Sequence, residues 1–283
     1  MEPWPVAMVN RFPLLIAVTD VNRLTVPVEQ WAEALYQGGV DIIQLREPDR
    51  TTEEIEALAS NVLSVAPSPE QLQINSHVEI ARALGCGVHL PERSGTARPP
   101  LSPVSRSVHS VESAAASGDF DFVIAGHIYK TASKPGIEPR GTSWLADVVR
   151  ACPAPVIAIG GVTAENAAQV IEAGASGIAV IGALTAAADP REAAIRLRAI
   201  IDDAWSRRQM QEQTSTIEII LNGKSASVAT GCTILDLLRE KELGERLVVV
   251  ELNGAIVPRS DFGERVFSAG DKVEIVHFVG GGA

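Results

Sequence analysis

Along the first two hundred or so residues, short apolar runs alternate with longer amphipathic stretches. The runs Leu14–Val18, Ile42–Leu45, Gln71–Ile74, Gly87–Leu90, Arg106–Val108, Phe122–Ala125, Val156–Ile159 and Gly177–Ile181 have the length and composition of buried strands. Between them, Val28–Gln37, Thr52–Val65, Val78–Leu84, Val111–Ser117, Ser143–Arg150 and Ala164–Glu172 carry apolar residues at helical spacing. A last helix is predicted from Pro190 to about Arg208. The stretch Pro91 to Pro103 is too rich in Pro, Ser and Gly to predict one. Eight strand–helix repeats of this kind predict an α/β fold, a closed (β/α)8 TIM barrel. An open doubly wound sheet is the other arrangement that the pattern admits.

The pattern then changes. Residues 207–214 are polar and without period, which predicts a helix end fraying into a linker. Thr216–Leu221 and Ser225–Val228 flank Asn222-Gly223, a two-residue hairpin signal. Thr233 precedes an amphipathic stretch, Ile234–Glu240, and further strands are expected at Leu247–Leu252 and Lys272–Phe278. Strand, strand, helix and more strands is the order of a small ubiquitin-like β-grasp domain. The expected organisation is therefore a barrel over 1–206, a linker over 207–214 and a β-grasp domain over 215–283. The chain closes on Gly280, Gly281, Gly282 and Ala283. Glycine loses the most conformational freedom on ordering, so such a tail stays slim and extended, suited to entering another protein's active site.

Composition narrows the function class. Of 283 residues 46% are hydrophobic and only 4% aromatic, so the core is built of Ala, Val, Ile and Leu. The 24 basic against 35 acidic residues give a net charge of −11, which disfavours a nucleic-acid partner but leaves room for a small phosphorylated ligand held by backbone amides. Cys86, Cys152 and Cys232 are far apart and odd in number, as expected of thiols in a reducing compartment. With no apolar leader and no bilayer-length run, a cytoplasmic protein without membrane contact is expected.

Ligands of such barrels sit at the C-terminal ends of the strands. There, Gly160-Gly161 after the seventh strand and Val180-Ile181 at the eighth offer bare backbone either to cradle a phosphate or to make a tight turn. Gln44 and Arg46 end the second strand, and Arg46 suits a carboxylate or pairs with Glu47. Asn75 ends the third strand, to position a ligand or to satisfy a turn. His127 follows the sixth, where an imidazole either transfers protons or serves as a structural hydrogen-bonder. Neither His89 nor His109 stands out beside it, and Lys134 lies in a loop able to close over a ligand.

Ala17-Val18-Thr19-Asp20, Ile43-Gln44-Leu45-Arg46-Glu47, Gly87-Val88-His89-Leu90, Ser107-Val108-His109-Ser110, Ala158-Ile159-Gly160-Gly161-Val162 and Gly177-Ile178-Ala179-Val180-Ile181 occur in order, and together they resemble the thiamine-phosphate synthase superfamily. The resemblance runs from about Phe12 to Ile201. The synthase branch needs a magnesium pyrophosphate site with two aspartates. The matching positions here read Asn75-Ser76-His77 and His89-Leu90-Pro91-Glu92-Arg93, and Pro48 replaces the expected lysine. A sister branch, the thiazole tautomerase TenI, lacks those aspartates. Its Gly-His signature is similar to Gly126-His127-Ile128-Tyr129-Lys130-Thr131 through Lys134-Pro135-Gly136 and Arg140-Gly141. That resemblance implies aromatisation of a carboxythiazole phosphate by proton transfer, with no metal or other cofactor. His127 is then the proton relay, the Gly160-Gly161 and Val180-Ile181 backbone holds the phosphate, and Arg46 and Lys134 are the carboxylate candidates. Asn75, Ser107 and Thr131 are second contacts.

From Thr216 the chain resembles the sulfur carrier ThiS, through Ile219–Gly223, Thr233–Leu238, Val250–Gly254, Gly270–Glu274 and Phe278–Gly281. The resemblance implies adenylation of the glycine tail by an ATP-dependent adenylyltransferase, conversion to a thiocarboxylate, and delivery of sulfur to thiazole synthase. The acceptor would be Ala283 unless the tail is trimmed to a glycine. Tethering carrier to tautomerase would raise the local concentration of one near the other's client. The alternatives are a thiamine-phosphate synthase with an altered metal site, and a carrier on an inert barrel.

Overall fold

The computed structural model describes residues 12–214, 216–241, 243 and 248–277. The expected strand ends Leu247 and Phe278 and the tail Gly280, Gly281 and Gly282 lie outside them. Eight parallel strands close in chain order: β1 (Leu14–Val18), β2 (Ile42–Leu45), β3 (Leu72–Asn75), β4 (Gly87–Leu90), β5 (Val104–Val108), β6 (Phe122–Gly126), β7 (Val156–Ile159) and β8 (Gly177–Val180). Helices α1 (Val28–Gln37), α2 (Thr52–Leu63), α3 (Val78–Leu84), α4 (Val111–Ala115), α5 (Gly141–Ala151) and α6 (Ala167–Glu172) follow the strands, with a single turn α7 (Gly182–Thr185) and the long α8 (Pro190–Thr214).

Local chemistry explains where these elements begin and end. Thr51 and Glu54 cap α2 reciprocally, Thr51 Oγ1 accepting from Glu54 N and Glu54 Oε2 from Thr51 N. Gly85 ends α3 at φ 67°, a left-handed position that glycine takes without strain. β5 begins two residues earlier than its apolar pattern suggests. Its Ser105 faces the barrel interior and Arg106 is buried outside the barrel, where Nη1 donates to Ser117 Oγ (3.2 Å) and Nη2 to Glu92 O (3.2 Å). The stretch 207–214, expected as a linker, is helical: Gln, Met, Glu and Arg are good helix formers and need no apolar stripe to continue a turn.

The barrel interior is lopsided. Register pairs Val18 with Gln44, Gln44 with Gln73, His89 with Ser105 and Ser107 with Ile124. Leu14, Ile16, Val18, Phe122, Ile124, Ile157 and Ala179 form a separate apolar cluster inside the arc of β6, β7, β8 and β1, with Ile42 joining it. The β2–β5 arc instead turns Gln44, Gln73, His89, Ser105 and Ser107 inward. At the bottom, Asp41 accepts from Leu15 N (2.8 Å) and from Arg198 of α8 (2.9 Å), so the last helix is tied to the first strand.

Contacts divide the chain after Ser206. The second unit holds a five-stranded sheet in the order β10 (Lys224–Ala229), β9 (Thr216–Leu221), β13 (Lys272–His277), β11 (Val248–Leu252), β12 (Ala255–Val257), with β13 parallel to β9. Helix α9 (Ile234–Glu240) buries Ile234, Leu237 and Leu238 against Ile219, Val250, Phe262, Phe267 and Val273. Asn222 and Gly223, both at positive φ (47° and 77°), make the turn that matches the twist of β9 and β10. This is the expected β-grasp.

Candidate functional site

A cavity of about 790 Å³ opens at the C-terminal ends of the barrel strands. All of the barrel residues singled out in the sequence line it: His127, Arg46, Asn75, Ser107, Thr131, Lys134, Gly160, Gly161, Val180 and Ile181.

His127 is carried just past β6 and is 4% exposed. Its Nε2 lies 3.2 Å from Ile137 O, a carbonyl that only accepts, so the ring donates there and the neutral form keeps its lone pair on Nδ1. The following loop is pinned at both ends: Ile128 N and Tyr129 N donate to Ile159 O and Gly160 O, and Arg140 N and Gly141 N return to His127 O and Ile128 O. Gly160 and Gly161 are required by this packing. A Cβ on Gly160 would sit 2.2 Å from His127 Cβ, and one on Gly161 2.5 Å from Lys130 O; both residues have positive φ. Both the turn and the bare backbone facing the cavity are present.

Within the loop, Thr131 accepts from Ser133 N (3.3 Å) and its carbonyl from Lys134 N (3.2 Å). Arg46 is exposed, and its amide donates to Thr19 Oγ1 (3.0 Å). Glu47 is turned to Val21 N (3.0 Å), so the Arg46–Glu47 pairing expected as one option does not form. Asn75 Nδ2 donates to Ser76 Oγ (3.1 Å) at the left-handed turn that ends β3.

Arg23 and Arg93 line the cavity without having been singled out in the sequence, while Gln44 and His89 were placed near strand ends without a role. Arg23 reaches toward the start of α7, its Nη1 3.6 Å from where a Cβ on Gly182 would lie, and Arg93 stands on the β4 side. Gln44, 2% exposed, has an Nε2 that is buried and finds no acceptor among the described residues. His89 is 4% exposed, with Ser105 Oγ and Ser107 Oγ each 2.8 Å from its two nitrogens. Burial, then the charges of Arg46 and His109, push its pKa down to about 3. Alternation with apolar Ile43 and Leu45 marked Gln44, like Arg46, as able to face the barrel mouth; nothing in the sequence set His89 apart.

The metal site that the synthase resemblance implies does not fit these residues. Glu92 is the carboxylate at the matching position, and both of its oxygens are taken, Oε2 by His109 Nδ1 (2.7 Å) and Oε1 by His109 N (3.3 Å). Burial raises its pKa, but hydrogen bonds from Ser113 and His109 outweigh this and hold it below the usual range. Among the described residues no acidic side chain lines the cavity, and no group of three or more His, Cys, Asp or Glu is placed to hold an ion. Arg23, Arg46, Arg93, Lys130 and Lys134 line it instead, which makes the cavity cationic.

Residues 15–184 match the family model described as thiamine monophosphate synthase, and residues 218–282 match the ThiS family. The thiamine-phosphate synthase of Albidiferax ferrireducens is 39% identical over 181 residues, 60% of this chain and 82% of that protein. That of Mycobacterium bovis is 35% identical over 211 residues, 67% of this chain and 95% of the other. Among solved structures, the thiamine phosphate pyrophosphorylase from Pyrococcus furiosus superposes with a TM-score of 0.58 at 30% identity, covering 68% of this chain and 96% of that one. No helix among the described residues is long and apolar enough to cross a membrane.

Proposed function

Because this chain belongs to the thiamine monophosphate synthase family and continues into a ThiS-family segment, we propose that it serves thiamine biosynthesis with two activities, a thiazole tautomerase in the barrel and a sulfur carrier behind it. One observation carries the barrel assignment: among the described residues the cavity wall is cationic and without carboxylates, while the Glu92 carboxylate is spent on His109. Such a wall suits a small ligand bearing a phosphate and a carboxylate, bound directly and not through a magnesium pyrophosphate.

The reaction is an isomerisation and balances without a co-reactant. His127 Nδ1 takes the proton from the ring carbon that bears the carboxylate; the C–H electrons shift into the ring, and the exocyclic double bond takes the proton back from Nδ1–H. The hydrogen bond from Nε2–H to Ile137 O supports this role, because it leaves the basic lone pair on the other nitrogen. The Gly160-Gly161 and Val180-Ile181 backbone is assigned to the phosphate, with Arg46 and Lys134 for the carboxylate. Asn75 and Thr131 are assigned as further polar contacts. In the second unit the glycines through Gly282 are assigned as the sulfur-bearing tail, with thiazole synthase and an ATP-dependent adenylyltransferase as partners.

The relatives' names favour a second reading, thiamine-phosphate synthase. One paired assay separates the two. Incubation with the non-aromatic carboxythiazole phosphate tautomer should give the aromatic product without added metal. Incubation with hydroxymethylpyrimidine pyrophosphate, thiazole phosphate and magnesium should give no thiamine phosphate; coupling there, with no isomerisation in the first tube, would replace the proposal by the second reading. For the carrier, the intact mass of the C-terminal fragment should show sulfur in place of one terminal oxygen, on Gly282 or on Ala283.

A further inference from the structure

We infer that the buried series Gln73–Ser105–His89 fixes the Ser107 hydroxyl as a hydrogen-bond acceptor toward the cavity, so that this part of the wall turns away the ligand's carboxylate and phosphate. The inference rests on the same cavity being the ligand site, and it refines the expectation that Ser107 is a second contact.

The direction of every bond follows from the one before it. Gln73 is fully buried, and its Nε2 lies 3.3 Å from Val88 O and 3.2 Å from Pro103 O. Two carbonyls can only accept, so the amide nitrogen faces them and Oε1 faces Ser105 Oγ at 3.0 Å. That oxygen also only accepts, so Ser105 donates its single proton to Gln73. Ser105 Oγ is then the acceptor for His89 Nδ1 at 2.8 Å, which places the imidazole proton on Nδ1. Nε2 is left with its lone pair and takes the proton of Ser107 Oγ, also at 2.8 Å. The lone pairs of Ser107 are what remain for the cavity that it lines.

Reversing the series is costly. With the proton on Nε2, Nδ1 would need the Ser105 proton, and Ser105 Oγ and Gln73 Oε1 would face each other as two buried acceptors. A doubly protonated ring would free the Ser107 proton, but burial and the nearby Arg46 and His109 charges hold the ring neutral. An anionic ligand group at Ser107 therefore meets lone pairs, and the ligand's acceptors are directed to the donors elsewhere on the wall, among them Gln44 Nε2 and Arg46.

The test has a spectroscopic arm and a binding arm. In protein labelled with 15N-histidine at pH 7, the His89 signals, identified by their loss in His89→Gln, should be those of the neutral Nδ1–H form. In Ser105→Ala, which removes the acceptor of that proton, the Nε2–H form should rise to at least a third of the population. An Nε2–H or charged ring in the parent protein, or a tautomer unmoved by Ser105→Ala, overturns the assignment. In the binding arm, Ser107→Ala should leave the affinity for the carboxythiazole phosphate product within about twofold of the parent protein's, because no anionic group of the ligand is held there. A loss of about fivefold or more overturns it as well. The tautomer measurement needs no substrate, so it stands or falls separately from the isomerisation assay.

Discussion

His127 and His89 line one cavity and are buried to the same 4%, yet their surroundings prepare them for opposite tasks. On the β6 side, His127 spends one nitrogen on a backbone carbonyl and keeps a lone pair on the other. On the β4–β5 side, His89 has both nitrogens occupied by serine hydroxyls inside a series that ends on backbone carbonyls. Burial alone does not tell a proton carrier from a structural imidazole. The count of committed nitrogens does, because a base needs one lone pair that the protein has not already used.

The largest expected effect breaks or upholds this contrast directly. His127→Asn should lower isomerisation of the carboxythiazole phosphate by roughly a hundred- to ten-thousand-fold, the range of general acid–base catalysis. His89→Gln should lower it by no more than about tenfold, since a glutamine amide can still bond both serines. Rates measured in the reverse order would move the chemistry to the β4–β5 wall. Next comes the glycine behind His127. Gly160→Ala should cost about 3 kcal/mol or more in denaturant unfolding, because its Cβ would meet His127 Cβ at 2.2 Å on a backbone at φ 98°. Gly136→Ala shares the positive φ (76°) but has nothing within 4 Å, so it should cost only about 1 kcal/mol. Equal losses would mean that backbone strain, and not the close approach of His127, is what selects glycine there.

The other imidazole should be visible in acid stability. His89 is pushed from 6.5 to about 3 in the fold, so between those values the unfolded chain binds a proton that the native protein refuses. Stability present above pH 6.5 is thus lost as pH falls, by up to ~1.4 kcal/mol per pH unit from this group. The upper part of this range, just below pH 6.5, isolates it best, because carboxylates such as Glu54 and Glu92, with ordinary values of 4.5, are still almost fully ionised there even in the unfolded chain. Unfolding free energies across that window should be flatter in His89→Gln. An unchanged slope would show that His89 is protonated in the native state and that its two serines do not hold it neutral.

The barrel was legible because its signals are repetitive. β1, β2, β4 and β7 begin and end where the apolar runs do, and the Asn222-Gly223 turn carries its own signature. Arg46 and Lys134 could be placed at the cavity from strand ends and loop position alone. The polar arc was not legible, for a physical reason. A short buried strand reads as apolar only when both of its faces meet apolar neighbours. Ser105 and Arg106 break that pattern, although Ser105 finds Gln73 and His89, and the two Nη atoms of Arg106 find Ser117 and a carbonyl. Those partners come from other strands and loops, and a single run of sequence does not contain them. The helical backbone through Thr214 was hidden for the complementary reason, since intrinsic propensity leaves no periodic mark.

Gln44 gives the smallest effect and the sharpest opposition between folding and binding. It sits on the polar arc beside Gln73, but where Gln73 Nε2 has two carbonyls, Gln44 Nε2 has none among the described residues. A buried donor left unpaired costs roughly 1–3 kcal/mol, a cost that a ligand acceptor would relieve. Gln44→Met keeps the side-chain length and removes the donor. The variant without ligand should therefore unfold at higher denaturant, by about 1 kcal/mol, while its affinity for carboxythiazole phosphate falls by about five- to tenfold. Opposite signs for the two measurements would identify Gln44 as a group kept unsatisfied for the ligand's sake. A variant that is less stable and binds as before would show that this nitrogen has a partner of its own and belongs, like Gln73, to the frame that holds His89.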